Sequence, residues 1–242
     1  MDYLHRFYRR SMQAEGLVPF RVVIGESDLF VWAERELKER ARDSLYWHRR
    51  ELEEFINLQP LFGESLRPYE VPSDSPRVVR IMARAAERVG VGPMAAVAGA
   101  LAEMVGRDLS EQSREVIVEN GGDIFLCSRS ERKVGIFAGE SPLSGRITLR
   151  LKPVPGGMGV CTSSATVGPS LSVGKADTAL VLASDVALAD AAATAMGNRA
   201  KDPAHIEDAL SWTYGIEGVA GCLVIMGEHL GLKGEIELSE PD

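Results

Sequence analysis

Apolar and aromatic residues recur in two short runs, residues 6–12 and 18–24, which predicts two strands joined by a turn containing Gly16. A helical period follows. Leu29, Ala33, Leu37, Ala41, Leu45, Leu52 and Phe55 mark one side of a long helix, with Ser27 and Asp28 as N-caps and Pro60 with Phe62-Gly63 as its stop. Residues 67–75 are rich in turn formers. Asp74-Ser75 as caps and Pro76 in the first turn predict a second helix, running to Val89 and stopping at Gly90. Gly92-Pro93 opens a third over residues 94–105, closed by Gly106.

The middle of the chain changes period. Residues 115–119, 124–127, 134–138, 147–151 and 158–162 are short β-rich runs, punctuated by Asn120-Gly121-Gly122, Ser141-Pro142 and Pro155-Gly156-Gly157. A strand over 179–182 leads into a helix over 186–196, ended by Gly197-Asn198. Asp202-Pro203 begins another helix to about Tyr214, and strands over 220–226 and 235–238 follow. Helices grouped early and hairpins grouped in the middle predict an α+β fold of mostly antiparallel sheets backed by helices. A single domain over residues 1–242 accommodates this pattern. The strands on either side of the helical block are compatible with two diverged halves, although no residue-level repeat is visible.

Composition narrows the classes. With 242 residues, 45% hydrophobic and 26% charged, the chain reads as an ordinary globular protein. No apolar run reaches the roughly 18 residues of a membrane span; residues 91–105 come nearest, and they carry Glu103. The first residues lack the apolar core of a secretory signal, so a cytoplasmic location is expected. Cys127, Cys161 and Cys222 are odd in number, far apart and set in apolar runs, which predicts buried reduced thiols rather than a disulfide framework or a thiolate zinc site. The net charge of −8 falls wholly on residues 178–242, with 3 Lys/Arg against 11 Asp/Glu. There is no basic stripe, so neither nucleic acid nor a membrane is an expected partner. Such an acidic end repels a phosphorylated ligand unless a cation intervenes.

Candidate chemistry concentrates in three stretches and one helix. In Leu188-Ala189-Asp190-Ala191-Ala192-Ala193-Thr194-Ala195 a carboxylate and a hydroxyl lie one helical turn apart among alanines. Mg²⁺ commonly takes one or two protein oxygens and fills its other positions with water and substrate phosphates, which this pair suits. From the pair alone, a solvated aspartate is the simpler reading. Gly121, Gly122 and Asp123 form a hairpin signal whose glycines also admit a ligand close to the backbone. Thr162, Ser163, Ser164 and Thr166 follow an apolar strand and offer hydroxyl donors to a phosphate or ribityl group, without P-loop spacing. The stretch from Gly90 to Gly99 is a helix start of small residues, suited to an anion or to close helix packing. The four histidines are scattered, GxSxG, HExxH and GxGxxG are absent, and Met82, Met94 and Met104 read as core.

Val118, Gly121-Gly122-Asp123-Ile124, then Thr162-Ser163, then Ala189-Asp190 and Ala193-Thr194-Ala195 resemble, in order and spacing, the ApbE flavin transferases over about residues 116–197. Across its whole length the chain is similar to a little-characterised cytoplasmic ApbE-related family. Ser27-Asp28-Leu29, Val91-Gly92-Pro93-Met94, Glu119-Asn120, Ala138-Gly139-Glu140-Ser141-Pro142 and Cys161-Thr162-Ser163-Ser164 carry that likeness. ApbE enzymes cleave FAD with Mg²⁺ and attach FMN to a protein hydroxyl. The resemblance therefore implies a T-fold-like architecture, Mg held by Asp190 and Thr194, and FAD or FMN against Gly121, Gly122, Asp123, Thr162, Ser163 and Ser164. Two positions depart from the family. Its His-x-x-Asp-Pro-x-Thr-Gly segment is replaced by residues 168–177, which contain no histidine, with Lys175 and Asp177 as candidate substitutes. Its Asn two residues before the glycine pair is Glu119 here. The expectation is an ApbE-like protein binding a flavin nucleotide or similar phosphorylated ligand with Mg, either as an FMN transferase or as a non-catalytic binding or sensing module. A homo-oligomer is compatible with it.

Overall fold

The computed structural model describes residues 14–164 and 174–241, so the strand expected over 6–12 and the hydroxyl of Thr166 lie outside the described residues. Residues 18–24 do form a strand, β1 (Val18–Ile24). The next segment is a second strand, β2 (Ser27–Ala33), and not the start of the long helix. Spacings of four fit a period of two as well as a helix, and Leu29, Val31 and Ala33 are buried on one strand face. Ser27 and Asp28 accordingly cap no helix. Ser27 Oγ accepts from Arg49, and Asp28 pairs with Arg21. The helix α1 (Lys38–Leu58) begins ten residues later than Asp28, and Pro60 opens a short helix α2 (Pro60–Glu64) instead of ending in coil.

Eight strands build the main sheet. Beyond β1 and β2 these are β3 (Val116–Asn120), β4 (Asp123–Ser128), β7 (Val154–Ser163), β8 (Thr178–Ala183), β9 (Val219–Met226) and β10 (His229–Gly234), in the order β1-β2-β3-β4-β7-β8-β9-β10. Every pairing is antiparallel. The strand β10 is additional to the expected set; its two glycines and exposed leucines weaken the alternation that marks a strand. A smaller sheet, β11-β6-β5, comprises β5 (Arg132–Gly135), β6 (Thr148–Leu151) and β11 (Glu237–Ser239). It covers one face of the main sheet, where Val134, Ile136, Leu149 and Leu151 pack with Ile117, Leu126, Leu180, Leu182 and Leu223. Helices cover the other face. The result is the predicted α+β class, with antiparallel sheets backed by helices.

The helical layer consists of α1, α2, α3 (Arg77–Val89), α4 (Val97–Ser110), α5 (Val186–Arg199) and α6 (Ile206–Tyr214). Gly90 ends α3 in the left-handed conformation, as its position predicts. Neither Asp74 nor Ser75 caps that helix; Pro76 occupies the N-cap position without a side-chain bond. Gly92-Pro93 opens a 3₁₀ turn, Pro93–Ala96, that feeds α4. Gly106 does not stop α4. It lies inside the helix because a Cβ there would meet Phe125 Cδ1 at 2.1 Å, so its missing side chain seats α4 on β4. Gly197 likewise lies inside α5, where the backbone of Gly174 packs against its carbonyl. The helix α5 is buried nearly all round, which explains a sequence with little polar face. Among the described residues no single helix is long and apolar enough to cross a membrane. All three cysteines are buried and free.

The buried Arg132 fastens the smaller sheet to the larger. Its guanidinium donates to Glu115 Oε2 at 2.8 Å, to Ser128 Oγ at 2.9 Å and to the Glu15 carbonyl at 3.0 Å. Burial pushes the Glu115 carboxyl up, but Ser128, Arg132 and the Arg129 N–H outweigh it and hold its pKa at about 2 against an ordinary 4.5.

Two stability measurements follow from this packing. In a helix interior Gly→Ala ordinarily stabilises by about 0.5–1 kcal/mol. Gly106→Ala is expected to reverse that sign and destabilise by about 1–3 kcal/mol in urea unfolding, through overpacking against Phe125. Because the folded pKa of Glu115 is depressed, its contribution is complete above pH 4.5 and fades as pH falls toward 2. Acid titration of stability should be flatter in Glu115→Gln than in the parent chain across that window.

Candidate functional site

The hairpin joining β3 to β4 has a two-residue turn, Gly121-Gly122, with φ of 70° and 109°, both in the left-handed half. Such a turn matches the twist of the flanking strands and excludes most side chains. A Cβ on Gly122 would also meet Thr162 Oγ1 at 2.9 Å, so the turn lies directly against the end of β7. There Thr162 donates its N–H to Asp123 Oδ1 at 3.2 Å and its hydroxyl to the Gly122 carbonyl at 3.3 Å. Glu119 is fully buried and bends back to accept the Gly122 N–H at 2.8 Å.

Two helices close over this corner. Asp190, in the middle of α5, accepts the Gly99 N–H at 2.8 Å through Oδ2, and the Ala98 N–H also stabilises its charge. Ala98 and Gly99 belong to the first turn of α4, a helix with no side-chain cap of its own. The exchange is reciprocal: Glu103 of α4 accepts the Val186 N–H, the first of α5, at 2.9 Å. Each helix thus supplies a carboxylate to the positive end of the other. Gly99 has to be glycine for this fit, because a Cβ would meet Val186 O at 2.7 Å and Asp190 Cβ at 2.8 Å. Asn120 adds a third tie, donating to the Ala98 carbonyl at 3.1 Å.

The electrostatics of the corner are one-sided. Burial, then the Glu119 charge, push the Asp123 carboxyl up to about 7, against the pull of the Thr162 N–H and Cys161. Burial, and then Asp123, push Asp190 well above the usual carboxylate range. The Cys161 thiol between them is raised by burial and by both carboxylates. Among the described residues no side-chain cation offsets either aspartate. Ser163 Oγ is buried and has no hydrogen-bond partner among the described residues. Uncompensated buried carboxylates are unfavourable, and a bound cation would offset them. Among the described residues no group of three or more His, Cys, Asp or Glu gathers around one point. A carboxylate with a hydroxyl is nevertheless a hard oxygen pair of the kind that Mg²⁺ takes alongside water and phosphate. The donor set therefore fits Mg.

The structure thus brings Gly121, Gly122, Asp123, Thr162 and Asp190 together from three distant segments. Thr194 lies one turn beyond Asp190 and is half-buried; Ser163 is buried and Ser164 half-buried at the end of β7. Of the candidate substitutes for the histidine segment, Asp177 is engaged elsewhere, accepting the Gly227 N–H at 2.7 Å, and Lys175 is exposed. The small residues at the start of α4 serve close helix packing, one of the two readings their sequence offered, and the carboxylate that meets their N–H groups is the chain's own Asp190. Glu103, Cys161 and the capping of α4 by Asp190 are additions to the expected set. Glu103 had one visible signal, a lone carboxylate in an otherwise apolar run. Elsewhere, Ser44 and His48 both bond Asp108 Oδ2, at 2.6 and 3.0 Å, so that the hydroxyl meets the carboxylate and not the imidazole. That arrangement lacks the serine-to-histidine contact of a nucleophilic triad.

Comparison with known proteins gives the family and the fold. Residues 9–211 match the family described as "AbpE bacteria". A UPF0280 protein of Methanocella arvoryzae is 44% identical over 214 residues, covering 88% of this chain and 87% of that one. A UPF0280 protein of Methanocaldococcus jannaschii is 40% identical over 229 residues, covering 92% and 93%. Among solved structures, the ApbE protein of Thermotoga maritima superposes with a TM-score of 0.59 at 11% identity, over 90% of this chain and 97% of that one. The flavinyl transferase ApbE of Pseudomonas stutzeri gives 0.54 at 14% identity, over 90% and 93%. At such identities the likeness is one of fold. The chain belongs to the family described as "AbpE bacteria", together with its UPF0280 relatives, and has the ApbE fold.

Proposed function

We propose that this protein binds a phosphorylated flavin-type nucleotide together with a divalent cation at the corner formed by the Gly121-Gly122 turn, the end of β7 and the middle of α5. The observation that carries the reading is the pair of buried carboxylates, Asp123 and Asp190, which no side-chain cation among the described residues offsets. Asp190, held in place by the Gly99 N–H on Oδ2, is the carboxylate ligand of that cation, with Thr194 as the second protein ligand. When bound, the cation neutralises phosphate charge and polarises a phosphate oxygen toward ester cleavage. Ser163, whose buried hydroxyl lacks a partner among the described residues, supplies a donor to the ligand, and the side-chain-free turn at Gly121 admits a flat group close to the backbone.

This corner is acidic among the described residues, so its affinity for a dianionic or trianionic ligand depends on the metal. Flavinyl transfer is the activity named for the ApbE of Pseudomonas stutzeri, and residues 168–177 of this chain contain no histidine. The reading is therefore one of metal-dependent binding first, with turnover as a separate question. A non-catalytic carrier or sensor is the second reading, and the same missing histidine favours it.

Isothermal titration of FAD, with Mg²⁺ present or removed by chelation, checks the proposal. Binding should require the metal and weaken at least about tenfold in Asp190→Asn, roughly the loss of one charge-assisted interaction. That variant keeps an oxygen to accept the Gly99 N–H, so its melting temperature should stay close to the parent's. Metal-independent binding, or unchanged binding in a folded Asp190→Asn protein, would rule the site out. Product appearing during the titration separates enzyme from binding module.

A further inference from the structure

The outer side of α3 carries a charge pattern that the sequence does not display as a run. Arg77, Arg80, Arg84 and Arg88 are separated by buried apolar residues, so in one dimension they read as isolated bases. Steps of three, four and four bring all four onto one side of the helix, and all four are exposed. At 1.5 Å per residue the row is about 16 Å long. The arginines of α1 are paired: Arg40 meets Glu111, Arg42 meets Glu39, Arg49 meets Glu26 and Glu53, and Arg50 meets Glu54. In α3 none of the four reaches a carboxylate among the described residues. Arg80 donates to the Ser73 carbonyl at 3.3 Å and Arg88 to the Glu217 carbonyl, whereas Arg77 and Arg84 make no hydrogen bond or ion pair there. Like charges one turn apart weaken a helix, and an anion laid along the row would offset that.

We infer that this side of α3 is a docking surface for an acidic segment of a partner protein, about four carboxylates long by the number of arginines in the row. Guanidinium forks match carboxylates bidentately, and a helix with acidic residues at steps of three and four presents them at the spacing of the row. The surroundings limit the length of the anion. Exposed Asp74 just before the helix, Glu87 along its side and Glu217 at its far end border the arginines. A nucleic-acid strand or a lipid surface extends well past the row, and would meet those carboxylates as well as the chain's net charge of −8. A short acidic segment meets the arginines alone. The contact is ionic and exposed, so salt weakens it.

Fluorescence anisotropy on the full chain, without metal or nucleotide, tests the inference. The probe is a labelled alanine-rich helical peptide with four glutamates at steps of three, four and four, and its control has glutamines in their place. The parent protein should bind the glutamate peptide at low salt, lose that binding at about 1 M NaCl, and leave the glutamine peptide free. Arg77→Glu with Arg84→Glu breaks no internal bond, and should lower the affinity at least about tenfold with an unchanged melting temperature. Arg129→Glu with Arg146→Glu, beside the smaller sheet, changes the net charge equally and should bind like the parent. A parent that does not bind the glutamate peptide, or an equal loss in both double variants, overturns the inference. So does tighter binding of duplex DNA, or of vesicles made from phosphatidylserine and phosphatidylcholine in equal parts, since the row would then serve a polyanion. None of these readouts needs nucleotide or metal, so their failure is separate from that of the proposed function.

Discussion

The interlock of α4 and α5 is the interaction on which the rest of the molecule depends. Buried helices have to satisfy the N–H groups of their first turns without water, and an unmet buried donor costs about 1–3 kcal/mol. Here Asp190 and Glu103 each serve the other helix, at 2.8 and 2.9 Å. A carboxylate that is required to hold a fold together is thereby fixed in direction. Asp190 cannot turn away from the corner without losing its bond to the start of α4. The same bonds set the close approach that Gly99 permits, and hence the distance of α5 from the hairpin of β3 and β4.

The corner also shows how the sheet contributes to a polar site. Asp123, Cys161 and Ser163 lie at the ends of central strands that are otherwise apolar, so their burial is inherited from the layers around them. Low solvent access raises Asp123 and Asp190, and the proximity of Glu119 adds to the effect on Asp123. An anion entering such a corner without a cation would meet a cluster of carboxyl groups, Glu119, Asp123 and Asp190.

Much of the fold was legible in the sequence because it depended on local chemistry. Asn120-Gly121-Gly122 between alternating runs marked the hairpin, and Gly90 marked the end of α3. What escaped depended on contacts between distant segments. Gly106 and Gly197 look like helix stops in one dimension, yet both lie inside helices; Gly106 is glycine so that Phe125 can approach, and at Gly197 it is Gly174 whose missing side chain lets its backbone reach the Gly197 carbonyl. The strand β2 looked helical because its buried residues recur at multiples of two and four together. For the site, the Asp190–Thr194 spacing and the double glycine were visible as separate motifs. Their shared location, and the second role of Asp190 as a helix cap, required the fold itself.

Anomalous diffraction from crystals soaked with Mn²⁺ and FAD reads out where a cation sits on this protein. A single manganese peak is expected roughly 2.0–2.2 Å from an Asp190 carboxylate oxygen, with Thr194 and phosphate oxygens completing its shell. Nucleotide density should run toward the Gly121-Gly122 turn. A manganese peak elsewhere on the protein, or nucleotide bound away from α5 with Asp190 bonded only to α4, would contradict the proposed site.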